Sequence, residues 1–246
     1  MKKKGLIVAI VVVLILGVLA AVFLPKRIKL YNAVKENIET LGPEGKMFAN
    51  YDVTDDTLIR VENENMSISI PGGCIYEDRE IIEIYQTPDG SQSVSVGKSV
   101  NDVEVSFFNP DYEGEAEIFG IKYDWEELKK GLEKLGYGIP DSTYDTFKCL
   151  YLLKESDYSF WDYEKGLAYA NAAYVKNQIP WMGANYLYER DDMYATIMER
   201  HLEDEDLYYY LVDVYNPKNL NQSYNVIIRV KDRQQAYAII NSIELK

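Results

Sequence analysis

The stretch Asp206-Leu207-Tyr208-Tyr209-Tyr210-Leu211-Val212-Asp213-Val214-Tyr215-Asn216-Pro217 alternates with a period of two. One face carries Tyr208, Tyr210, Val212 and Val214, and the other Tyr209, Leu211, Asp213 and Tyr215. That spacing predicts a strand, because successive side chains of a strand point to opposite faces. Neighbouring segments have the same texture: ANYLYERD (184–191), DMYATIMERH (192–201) and SYNVIIRV (223–230). They are separated only by Asp191-Asp192, Glu203-Asp204-Glu205 and Pro217-Lys218-Asn219. Connections this short suit antiparallel neighbours, since parallel strands need a long crossover. The chain closes with KDRQQAYAIINSIEL (231–245). Asp232 can cap a helix there, and Ala236, Ile239, Ile240 and Ile243 supply a face to lie on the sheet.

Strands also precede the meander. MSISIP (66–71) alternates and runs into Gly72-Gly73. REIIEIYQTPDGSQSVSVGK (79–98) reads as a hairpin turning at Pro88-Asp89-Gly90. NDVEVSFF (101–108) is a further strand candidate. The middle, about 124–178, is helical. Asp124 with Glu127 has capping-box spacing, Trp125, Leu128, Leu132 and Leu135 form a stripe, and Gly136 ends it. Asp141 or Ser142 opens a second helix. A third is expected from about Ser159 to Asn177, with Pro180 beyond it. Strands, helices, strands and a helix define an α+β domain: a largely antiparallel sheet with packed helices.

The N-terminus adds one more element. From Gly5 to Leu24 no residue is charged, a run that as a helix rises about 30 Å, the thickness of a bilayer core. Lys2, Lys3 and Lys4 precede it, and Pro25, Lys26 and Arg27 follow. The expectation is one transmembrane signal-anchor over 1–25, a helical stalk and linker over 26–50, and an extracytoplasmic domain over 51–246. Cleavage after Val18-Leu19-Ala20 is the competing reading. The apolar run continues past that site, which favours retention. With the N-terminus inside, the large domain lies outside the cell membrane. In the stalk, Leu30, Val34, Ile38 and Leu41 share a face. They either continue the membrane helix or mediate dimerisation.

Two segments resemble the PsbP-like α/β/α sandwich of exported and membrane-anchored proteins. They are Ser67-Ile68-Ser69-Ile70-Pro71-Gly72-Gly73 and the ending YNVIIRVKDRQQAYAIINSIEL (224–245). The resemblance implies a non-catalytic scaffold or accessory role, and it carries over no functional residue.

Composition narrows function further. Residues 1–30 hold six Lys/Arg and no Asp/Glu, so the remainder carries 20 basic and 40 acidic residues, a formal charge of −20. Such a surface disfavours nucleic acid, whose binding requires phosphate neutralisation. Tyr numbers 22 against 7 Phe, which suits half-buried sheet faces with wet rims. His201 is the single histidine, in a charged strand-end context, and any Ser-His-Asp or multi-His metal chemistry would have to use it. No phosphate-binding glycine loop or nucleophile elbow is present. Asp111 to Glu117 alternates acids around Gly114 but lacks the ligand pattern of an EF-hand. Cys74 and Cys149 either pair or remain buried thiols. No catalytic residue, metal ligand or cofactor is assigned.

The aromatic rows are the better clue. Tyr186, Tyr188 and Arg190 share a face, as do Tyr209, Asp213 and Tyr215. Exposed, such rows can hold a sugar or an extended peptide through ring stacking and rim hydrogen bonds. Under the helices, they would be core. The expected function is a membrane-anchored, non-catalytic binding domain for a protein, peptide or envelope glycan. A carboxylate-based hydrolase of envelope polymers and a structural or sensory ectodomain are the alternatives.

Overall fold

A computed structural model describes residues 2–102, 117–118, 121–122, 125–179 and 183–246; within these, the side chains of 2–10, 15, 16, 19, 33, 101, 102, 117, 118, 121 and 122 are not described. The first element is α1, Lys2–Glu39, which continues through Pro25. A proline lacks the N–H that would bond four residues back, but its fixed φ is helical. Residues 26–39 therefore continue the N-terminal helix without a break, one of the two readings of the stalk. Beyond it Leu30 and Val34 are each 1% exposed. The expected transmembrane span is not found: among the described residues no helix is long and apolar enough to cross a membrane. Nine of the 20 residues from Gly5 to Leu24 lie outside the described side chains.

Short strands follow: β1 Lys46–Met47, β2 Leu58–Glu62, β3 Met66–Pro71, β4 Ile75–Asp78, β5 Ile82–Gln86, β6 Ser93–Gly97, β7 Asn101–Asp102, β8 Glu117–Ile118 and β9 Ile121–Lys122. The β5–β6 hairpin turns where expected. Gly90 takes φ +69°, and the Asp89 carboxylate accepts from the Ser91 N–H at 3.1 Å and the Thr87 hydroxyl at 2.6 Å. Most of the strand candidate 101–108, Asp124 and the acidic stretch from Asp111 lie outside the described residues.

The helical middle contains α2 Trp125–Leu135, α3 Thr143–Leu152 and α4 Tyr163–Gln178. Gly136 at φ +98° ends α2 in a Schellman motif: Tyr137 N–H donates to the Leu132 carbonyl and Gly136 N–H to that of Glu133. Ser142 caps α3 by accepting from the Asp145 N–H at 3.1 Å. The third helix starts later than the stripe suggests. A 3-10 turn at Glu155–Asp157 comes first, and Asp162 is the cap, accepting from Lys165 N–H at 3.1 Å.

The meander is β10 Ala184–Arg190, β11 Met193–Leu202, β12 Leu207–Asn216 and β13 Asn219–Val230. The last strand begins four residues before Ser223, because Asn216 accepts from Lys218 N–H and tightens the turn. The chain ends with α5 Arg233–Asn241, capped by Asp232, and β14 Glu244–Leu245. Among the described residues the main sheet runs β1-β10-β11-β12-β13-β6-β5-β4, with β7 also on β13. Every pairing in it is antiparallel except β1 with β10. A second sheet, β14-β3-β2, packs beside α5.

The large sheet is covered on both faces. One face carries Tyr188, Ala195, Ile197, Val212, Val214, Val226 and Ile228, packed under α5 and β3. The other carries Leu187 and Met198 under α1, α2, α3 and α4, through Leu30, Leu128, Leu150 and Ala172. The fold is thus α+β with a large, mostly antiparallel sheet between layers.

Candidate functional site

The two aromatic rows fall on opposite faces of the sheet. In register, Tyr188 lies opposite Ala195, which lies opposite Val214; Leu187, Thr196 and Asp213 form the next row. Tyr186, Tyr188 and Arg190 therefore face α5, and Tyr209, Asp213 and Tyr215 face the side covered by α3. The six residues do not form one surface. Tyr188 and Tyr215 are each only 1% exposed. The period of two gives each strand two faces, but both are covered here, so it could not say which row meets water.

On the α5 side the rings enclose an ion pair. Glu199 occupies the inward position after Met193, Ala195 and Ile197 and is 8% exposed. Arg233, the first residue of α5, places Nη2 2.7 Å from its carboxylate. The Tyr237 hydroxyl, one turn later, donates to the same carboxylate at 3.2 Å. Arg233 also donates to the Tyr186 hydroxyl at 3.2 Å. Burial, then the Glu199 charge, pushes the phenols of Tyr210 and Tyr237 above their ordinary range. Phe48 packs edge-on to Tyr186, Tyr188 and Tyr237, and Tyr51 stacks on Tyr188 at 5.0 Å.

Arg190 closes this corner. Its guanidinium donates to the Asn241 carbonyl at 2.8 Å and the Ile243 carbonyl at 2.5 Å, and it pairs with Asp192. Those carbonyls are at the C-terminal end of α5, where a cation is favoured. The Asn241 amide donates to the Asn50 and Val53 carbonyls, pinning the segment after β1. Arg190 thus holds strand, helix and loop together.

On the other face, Asp213 hydrogen-bonds Thr196 and Asn225, the latter at 3.2 Å, across three neighbouring strands. Burial raises its carboxyl pKa. Tyr151 and Tyr215 lie beside it, and both phenols are pushed up, first by burial and then by the Asp213 charge. At the rim, Glu189 accepts from Lys148 at 2.6 Å and Tyr144 at 3.0 Å. The inward carboxylates Glu189 and Glu199 are thus each held by a cation and a phenol. A glycosidase pair needs two carboxylates converging on one bond.

Of two buried charged residues, one was readable in part. Glu199 interrupts an apolar alternation, which is a signal for a buried partner. Lys176 carried no such signal. It is fully buried in α4 and donates to the Leu153 carbonyl at 2.7 Å and the Tyr151 carbonyl at 3.3 Å, at the C-terminal end of α3. Burial lowers its pKa to about 8. His201 is exposed, stacks on Tyr208 at 4.6 Å and stands 3.6 Å from Asp206. Cys74 and Cys149 are both free thiols. Among the described residues no three His, Cys, Asp or Glu side chains are placed to hold a metal ion. No protein-family model matches the chain, and no curated protein matches it.

Proposed function

We propose that the protein is a single-pass, membrane-anchored interaction domain whose large domain lies outside the cytoplasm and performs no chemistry of its own. The observation that carries this reading is the two-sided character of α1. Along its first half, Val11 to Leu14, Val18, Val22 and Phe23 are 47–67% exposed. Along its second half, Leu30 and Val34 are buried against the domain, and Asn177 donates to the Asn37 carbonyl. An apolar surface of that extent needs a cover, and lipid is the cover that fits the length of the uncharged run Gly5–Leu24 in the sequence and the lysines before it. The unbroken helix then joins anchor to domain as one rod.

The contact surface assigned to a protein, peptide or envelope-glycan partner is the corner of Tyr51, Tyr186 and Arg190 beside β1. Met47 and Tyr51 are exposed there, at the open edge of the main sheet. The PsbP-like resemblance is part of this proposal and implies the same accessory role. The test is alkaline extraction of the full chain from membranes, with protease added to intact cells. Retention in the pellet with digestion of the large domain is expected. Release into the alkaline supernatant overturns the anchor, and protection of the domain overturns its orientation.

A further inference from the structure

Trp161 is the most exposed large hydrophobic side chain among those described, at 74%. It lies on the loop between the 3-10 turn and α4, and that loop is fastened to α1. Arg27 Nη2 donates to the Trp161 carbonyl at 2.9 Å. The Phe160 ring stands 5.1 Å from that of Trp161 and 6.1 Å from that of Tyr31, and Tyr158 lies 6.0 Å from Tyr31. Arg27 is three residues beyond Leu24, a rise of only about 4.5 Å along a helix. The loop therefore meets α1 within one turn of the end of its apolar run.

We infer that Tyr31, Phe160 and Trp161, with Lys26 and Arg27, form a membrane-interface foot that seats the domain on the bilayer surface. This rests on the anchor reading above. Tryptophan and tyrosine favour the headgroup level, where the ring is buried and the polar atom stays wet. Both cations occupy the same level in a chain that is otherwise acidic, and they match anionic headgroups. The neighbouring acids are engaged elsewhere: Asp162 caps α4 and Glu164 pairs with Lys134 at 3.1 Å. Ile28 and Phe23 continue the apolar surface from the foot into the helix. The occupant is the membrane that holds α1, and the foot fixes the domain's tilt upon it.

The experiment uses the full chain in phosphatidylcholine–phosphatidylglycerol vesicles. Trp125→Phe with Trp181→Phe leaves Trp161 as the sole tryptophan. Lipids brominated near the headgroup are expected to quench at least half of its emission, and acrylamide in the water is expected to quench little. In parallel, the unaltered chain is irradiated with a phospholipid carrying a diazirine near its headgroup. Adducts are expected on the peptide spanning Tyr158 to Asp162. Flotation after an alkaline wash reports α1 insertion separately. A chain that floats while Trp161 stays open to acrylamide and the peptide carries no adduct overturns the foot and leaves the anchor standing. A chain that does not float overturns both. A foot covered by a second copy gives acrylamide protection without lipid adducts, and that also overturns the inference.

Discussion

The Arg233 guanidinium lies 2.7 Å from a Glu199 carboxylate that is almost fully buried beneath it. The pair links the first turn of α5 to the middle of the sheet, and Tyr186, Tyr210 and Tyr237 surround it. Removing one partner leaves a charge without its counterion in a place water scarcely reaches.

Arg233→Ala is expected to cost about 2–3 kcal/mol, below the usual range for a buried pair because the arginine itself is partly exposed. Arg233→Met combined with Glu199→Gln is expected to recover most of the loss. Urea denaturation of the detergent-solubilised chain measures both, and a double variant no better than Arg233→Ala would show that the ion pair is not the cause.

Leu30 offers a test of what the stripe on α1 does. Its side chain packs close to Gly166 in α4, and both Leu30 and Val34 are buried within the chain. Leu30→Ala is expected to lower folding stability by about 2–4 kcal/mol through the cavity it leaves. Mass measurement in detergent is expected to give the same oligomeric state for variant and wild type. A change of state with unaltered stability would return the stripe to a dimer interface.

Asp213 and Lys176 make opposite demands on pH. Burial raises the Asp213 pKa above its ordinary 3.8, so its contribution is present at low pH and lost as pH rises through the folded value. Asp213→Asn, which keeps an acceptor for Asn225, is expected to raise the urea midpoint at pH 7, with the gain vanishing below about pH 4. The Lys176 pKa falls from 10.5 to about 8, so its contribution is present above 10.5 and lost as pH falls through 8. Between those values the unfolded chain binds more protons, and stability from this group rises with pH. Lys176→Met is expected to lack that rise. Parallel midpoint curves for Lys176→Met and wild type across this range would refute the assignment.

The thiols provide a direct readout of packing. Cys74 is partly exposed, whereas burial pushes the Cys149 thiol up to about 11. In the native chain at pH 8, alkylation followed by peptide mass spectrometry is expected to modify Cys74 first, and Cys149 only on unfolding. Equal rates would mean that α3 opens.

Much of the fold was legible because it depends on local chemistry. Period two over 184–230 gave the meander, Asp141 or Ser142 and Asp232 marked helix starts, and Pro88-Asp89-Gly90 marked a hairpin. The continuation of α1 through Pro25 was legible only as one of two readings of the Leu30–Leu41 stripe, since a proline inside a run reads equally as a stop. The candidate site was legible only as two rows of side chains. Tyr186, Tyr188 and Arg190 were placed on one face of their strand, and Tyr209, Asp213 and Tyr215 on one face of theirs, and both assignments hold. Their relation to each other depends on the pairing of β10 with β11 and of β11 with β12. Alternation along one strand does not encode that pairing.

The sequence by itself determined the types of the main helices and of the four meander strands, the antiparallel order of those strands and the apolar character of the N-terminus. These follow from spacing, turn residues and hydropathy within a few residues of chain. Tertiary structure alone decided that both sheet faces are covered, that Glu199 meets Arg233, and that the Trp161 loop is tied to Arg27. Those partners lie between 34 and 134 positions apart, and only packing brings them within hydrogen-bond reach.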